Sequence, residues 1–213
     1  MPSREDRKER ITRERQEQIL EAALNVFSRR GYGQSTMPEI AQEAGVAVGT
    51  IYNYYPSKRD LLVGITNRYV IEPFTRIVQH PPAGGDFDFV TALIENRLSF
   101  GAEGIARFMP LLMEVQRDPE LRRRYTEQVL KPVMGMMEQY YTAKVQDGAF
   151  RDVNPAMVPR IIGGMVIGFM LLTTIEGENG PASSMDRKEL AGELARFIVN
   201  GLKREPGAPE KEL

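Results

Sequence analysis

Apolar residues Ile19, Leu20, Ala23, Leu24, Val26 and Phe27 recur at the spacing of one helix face, and Arg29, Arg30 and Gly31 stop the pattern. The spacing predicts a first helix over about Arg13 to Arg30. In "STMPEIAQEAG", Thr36 and Glu39 form a capping box, with Pro38 in the first turn, where its missing N–H costs nothing. Ile40, Ala41 and Ala44 give that short helix an inward face, and Gly45 ends it. Val48 to Tyr54 reads as a third helix. The tyrosines of "TIYNYYPSK" have strand propensity, but no alternating partner run lies nearby. Pro56 holds Tyr55 out of helical backbone, and Ser57 caps a longer helix reaching to about Gln79.

Beyond the turn-forming "QHPPAGGDF", helical patterns recur over Asp88 to Phe100, Ala102 to Arg117 and Pro119 to Gln146, the last with Asp118 as cap. Two more follow, over Pro155 to Glu176 and Asp186 to Lys203, separated by "GENGPASS". The chain is therefore expected to be all-α. Its longest apolar run, Ile161 to Ile175, falls short of the roughly 20 residues that span a bilayer and is expected to be a buried helix, with no membrane partner. The tail "EPGAPEKEL" has the composition of a disordered segment.

Composition narrows the chemistry. The 213 residues are 42% hydrophobic and 27% charged, an ordinary globular balance. There is no cysteine and a single histidine, His80, in a proline-rich loop, which removes disulfides, thiolate metal sites and cysteine nucleophiles. No cofactor or metal is expected, and no nucleophile and base pair or nucleotide loop stands out for an enzyme. The charged start "MPSREDRKERITRERQEQ" lacks the apolar stretch of a secretory signal, so a cytoplasmic location is expected. The formal net charge is −1, and residues 1 to 63 carry ten Lys and Arg against nine Asp and Glu. Any contact with nucleic acid must therefore come from local arrangement. The acids interleaved among the arginines of Arg4 to Arg15 favour a solvated helix over a DNA-binding arm.

Two short helices joined by a tight turn have the geometry of a helix-turn-helix. Ala41 supplies the small residue at the helix approach, Gly45 the turn, and Val46 and Ile51 the apolar anchors. The run "ILEAALNVFSRRGYGQSTMPEIAQEAGVAVGTIYNYYPSKRDLL", Ile19 to Leu62, resembles the N-terminal DNA-binding domain of the TetR family of transcriptional regulators. The resemblance implies a three-helix DNA-binding domain over residues 1–62, a larger helical ligand-binding and dimerisation domain over 63–205, and a tail over 206–213. It puts Val48, Gly49, Thr50 and Tyr52 toward base edges, with Val48 suited to a thymine methyl. Thr36, Asn53, Tyr54 and Lys58 then face phosphates. Ala47 stands where the family usually has Ser or Thr, and Tyr55 where it has Phe.

Helices rich in Met and aromatics suit a pocket for a hydrophobic or amphipathic ligand, with Phe108, Met109, Met113, Met137, Tyr140, Tyr141 and Met165 as candidates. Arg97, Glu114 and Thr173 are candidates to orient a polar end. Gly164 and Gly168 permit a close helix crossing, and with Leu194, Phe197, Ile198 and Leu202 they form a candidate dimer interface. The expected function is a homodimeric repressor that binds a palindromic double-stranded DNA operator and is released by a small-molecule effector. The alternative is a helical carrier of hydrophobic ligands without operator-specific DNA binding.

Overall fold

The computed structural model describes residues 3–204; the tail expected over 206–213 lies outside them. Eleven α-helices occur among the described residues: α1 (Arg4–Arg30), α2 (Met37–Glu43), α3 (Val48–Tyr54), α4 (Lys58–Thr66), α5 (Glu72–Gln79), α6 (Asp86–Leu98), α7 (Gly101–Arg117), α8 (Pro119–Tyr125), α9 (Lys131–Gln146), α10 (Val158–Glu176) and α11 (Arg187–Leu202). No strand forms there, only one antiparallel bridge between Phe150 and Lys203. The fold is all-α. Two compact units emerge: the chain up to Glu72 with Ala106–Val129, and Pro73–Ile105 with the chain from Leu130 onward.

In the first unit, α1 begins nine residues before the position its apolar spacing marks. Ser3 and Asp6 close a capping box, with Ser3 N donating to Asp6 Oδ2 at 2.7 Å and Asp6 N to Ser3 Oγ at 3.0 Å. Hydrophobic periodicity locates only the part of a helix that is buried, here from Ile19 to Phe27. The box of Thr36 and Glu39 opens α2 as its sequence requires. At its other end Gly45 N donates to Gln42 O (3.1 Å) and Val46 N to Ala41 O (3.0 Å), with Gly45 at φ 62°. These are the two bonds of a Schellman stop, and they turn the chain directly into α3. Ile40, Ala41 and Ile51 are buried with Ile19, Ala23, Phe27, Leu61 and Ile65 in one core, to which Leu111, Leu121 and Tyr125 also belong.

The long helices expected to reach Gln79 and Gln146 without a break each contain a π-helical turn, Asn67–Ile71 and Thr126–Leu130. A proline follows each turn by two residues, Pro73 and Pro132. Proline lacks the N–H for an i to i−4 bond and its ring crowds that carbonyl, so the helix widens ahead of it instead of breaking.

In the second unit, Phe89, Leu93 and Ile94 of α6 pack with Val166 of α10 and Ala191, Ala195, Ile198 and Val199 of α11. Contrary to the buried helix expected there, α10 is open along one side. Ile161, Met165, Ile167, Leu171, Leu172 and Ile175 are exposed, Ile175 at 74%. A uniformly apolar run does not say which face the protomer covers, and only Val158, Pro159 and Val166 of α10 are buried within it. Counted on to Asn179, the segment is by length and composition able to cross a bilayer, longer than the run first counted.

Candidate nucleic-acid interface

The α2–turn–α3 segment presents a defined outer face. Ile51 is fully buried and pins α3 to the core, whereas Val48 (38%) and Tyr52 (48%) are exposed one turn apart. Gly49 and Asn53 are also exposed, and Thr50 and Tyr54 half-buried. Tyr54 packs against the core, as does Tyr55, whose phenol is pushed up to about 12 by burial. Room for the Tyr55 ring depends on Gly64, since a Cβ there would lie 2.8 Å from Tyr55 Cε1. Ala47 is the N-cap of α3 and supplies no side-chain bond.

Thr36 stands exposed at the start of α2, its hydroxyl donating to Glu39 Oε2 at 3.0 Å. Glu39 in turn pairs with Arg30, and Glu43 with Arg29 at 2.6 Å. The C-terminal arginines of α1 thereby neutralise both carboxylates of α2, so they do not oppose an anion in front of α3.

Lys58, assigned by resemblance to a phosphate, is used internally. Its Nζ donates to the carbonyls of Tyr32 (2.7 Å), Ser35 (2.8 Å) and Gly33 (3.2 Å) and lies 4.8 Å from the Tyr32 ring centroid. Three donors meet three carbonyls, so the ammonium ties the α1–α2 loop to the start of α4. Partial burial lowers its pKa.

A second tie joins α4 to α8. Arg59 Nε donates to Asp118 Oδ2 (2.7 Å), and Arg124 Nη1 to Asp60 Oδ1 (2.7 Å). Asp118 also caps α8 by accepting from Glu120 N and Leu121 N. The bond from Arg59 holds the Asp118 carboxyl below its usual range, and bonds from Arg123 and Arg124 hold Glu120 down at about 2. Sequence reading identified Asp118 as a cap but missed both ion pairs, because partners 59 and 64 residues apart leave no local spacing.

The pocket candidates divide between the units. Phe108, Met109 and Met113 belong to the first, where Met113 is exposed; Met137, Tyr140, Tyr141 and Met165 belong to the second. Tyr141 is structural, its hydroxyl donating to Arg151 O and accepting from Val153 N at 2.9 Å. Tyr140 donates to Asp86 Oδ1 at 2.7 Å. Of the orienting candidates, Arg97 lies 5.8 Å and 5.3 Å from the Phe74 and Phe100 ring centroids, with its pKa lowered to about 10 by burial. Glu114 pairs with Arg117, and Thr173 donates to Met170 O. Among the interface candidates, Gly164, Gly168 and Phe197 (73%) are exposed. Ile198 is instead buried in the core of the second unit, and Leu194 and Leu202 pack against it. The exposed positions on α10 that the sequence did not single out, Ile161, Leu172 and Ile175, complete a stripe with Met165 and Gly168 at alternating four- and three-residue steps.

Four likenesses bear on this geometry. The family model described as "Bacterial regulatory proteins, tetR family" matches residues 19–65, the span from the buried part of α1 into α4. The uncharacterized HTH-type transcriptional regulator YuxN of Bacillus subtilis is 39% identical over 66 residues, 31% of this chain but only 23% of that protein. The fatty acid metabolism regulator protein of Bacillus subtilis is 29% identical over 71% of this chain and 77% of its own length. The crystal structure of the transcriptional regulator FadR from Bacillus subtilis in complex with stearoyl-CoA superposes with a TM-score of 0.63 at 25% identity, covering 87% of this chain and 98% of that one. The relatives are regulators rather than enzymes. Residues 19–65 thus carry the helix-turn-helix domain of the tetR family of bacterial regulatory proteins, and a larger helical domain follows it.

Proposed function

We propose that this regulator is a homodimeric repressor that binds a palindromic operator and releases it when a hydrophobic or amphipathic effector binds. The observation that carries the DNA reading is the outer face of α3, where Val48, Gly49, Tyr52 and Asn53 are exposed around the buried anchor Ile51. Val48 cannot hydrogen-bond and reads a thymine methyl, while the Tyr52 ring and hydroxyl meet base edges beside it. Thr50 stays with the base-edge face, and Thr36, Asn53 and Tyr54 position the head on phosphates. Lys58 contributes by fixing the loop that leads into α2.

The apolar stripe of α10, extended by Phe197 of α11, supports a dimer in which the same face of two copies meets. Gly164 and Gly168 on that face let the backbones approach closely. An acyl-CoA is the effector class favoured, because a relative spanning most of the chain is named for fatty acid metabolism and a similar structure holds stearoyl-CoA. Release requires that the effector bind the non-DNA state more tightly, since equal affinity for both states shifts nothing.

The test uses a duplex enriched by the protein from a random-sequence library. Tyr52→Ala costs about 1–3 kcal/mol of affinity for that duplex by fluorescence anisotropy. Stearoyl-CoA releases the wild-type protein from it. A protein that enriches no sequence yet binds stearoyl-CoA would be the ligand carrier instead.

A further inference from the structure

Residues 1 to 63 contain ten cations, and the folded head commits half of them internally. Arg29, Arg30 and Arg59 pair with Glu43, Glu39 and Asp118; Arg10 lies 3.6 Å from Glu14; and Lys58 is spent on carbonyls. The other five, Arg4, Arg7, Lys8, Arg13 and Arg15, all lie on the first half of α1. No ion pair to any of them occurs among the described residues. Along the sequence these cations alternate with acids, which argued for a merely solvated helix. Once helical, the interleaving resolves into faces.

At 3.6 residues per turn, Arg4, Arg7, Lys8, Ile11, Arg15 and Gln18 fall within a sector about 100° wide that contains no acid. Glu5, Asp6 and Glu9 point away from it, and Glu14 at its border is the partner of Arg10. The orientation of the sector is fixed by its last member. Gln18 Nε2 donates to Ala44 O at 2.7 Å, in the turn that delivers α3, and Arg15 Nη1 donates to Gln18 Oε1 at 3.0 Å. From that bond the cationic face runs about 20 Å toward the start of α1. Arg4, Arg7 and Lys8 are exposed on it.

We infer that this face of α1, carrying Arg4, Arg7, Lys8 and Arg15, is a second DNA contact that binds backbone phosphates beside the half-site read by α3. The inference rests on the operator reading above and extends it. The head is otherwise close to neutral, and a phosphate-binding surface needs cations whose charge no carboxylate of the fold already neutralises. Assigned to phosphates and not to base edges, the face strengthens binding uniformly and extends the footprint without changing sequence preference.

The experiment compares wild type, Arg4→Gln with Lys8→Gln, and Arg13→Gln, which neutralises a cation on the opposite face. Anisotropy titrations over a range of salt use the library-selected duplex, once trimmed to its inverted repeat and once with about one extra helical turn at each end. Helicity by circular dichroism verifies that each variant is folded. The expected result is that wild type gains affinity from the flanks and the double variant does not. Its slope of log affinity against log salt also becomes shallower by about 3 to 4 for a dimer losing four phosphate contacts. Arg13→Gln leaves slope and flank gain nearly unchanged. The arm is overturned if the double variant keeps the wild-type slope, or if Arg13→Gln lowers it by as much per charge removed. Should the library yield no preferred duplex, the operator reading fails on its own; the arm is then judged by the same slopes on random duplex.

Discussion

At the scale of single residues, Lys58 separates what a pattern implies from what a side chain does. The family pattern puts it among phosphate contacts, but the carbonyls of Tyr32, Gly33 and Ser35 take its three protons. Those acceptors are backbone atoms 23 to 26 residues away, which no side-chain spacing can announce. Lys58→Ala therefore leaves three carbonyls short of a charged donor and is expected to cost about 2 kcal/mol of stability by urea unfolding. A variant that lost operator affinity at unchanged stability would return Lys58 to the phosphates. Val48, Ile51 and Tyr52 were legible, because exposure on α3 follows from helical periodicity once Ile51 is fixed as the anchor.

Elements were most legible where local chemistry decides them. Thr36 with Glu39, Ser57 and Asp118 all cap helices in the structure, and Gly45 makes the turn before α3. The exceptions have physical causes: α1 starts early on a capping box with no apolar periodicity, and Pro73 and Pro132 convert continuous helix into π turns. Around α8, the tie of Asp118 to Arg59 of α4 and the pairs of Glu120 within the helix predict an acid limit. Asp118 and Glu120 have folded pKa values below their unfolded ones, so their stabilisation is complete above about pH 5. It is lost as pH falls through about 4.5 toward 2, where Glu120 titrates in the folded state. The melting temperature should be flat from neutral pH to about 5 and fall below it, and Glu120→Gln should remove part of that fall. Both pairs are substantially solvated, so high salt should weaken the effect. A profile that did not change in Glu120→Gln would exclude this origin.

For the whole molecule, the decisive feature is the side of α10 that the chain itself leaves uncovered. Composition alone made α10 a core helix, because a uniformly apolar run does not say which of its faces the chain covers. Leu172→Glu places a charge in the middle of the stripe and is expected to raise the dimer dissociation constant by at least about tenfold, read by light scattering or sedimentation. An unchanged constant would put the interface elsewhere. In the proposed dimer, two heads read two half-sites at one separation, on one side of the duplex. Inserting about half a helical turn, roughly five base pairs, between the half-sites of the selected operator turns one of them to the opposite side. Anisotropy should then record affinity falling to the level of a single half-site, with recovery when a full turn is inserted only if the heads can spread. Affinity that stays at the original level through the half-turn insertion would contradict a dimer of rigidly paired reading heads.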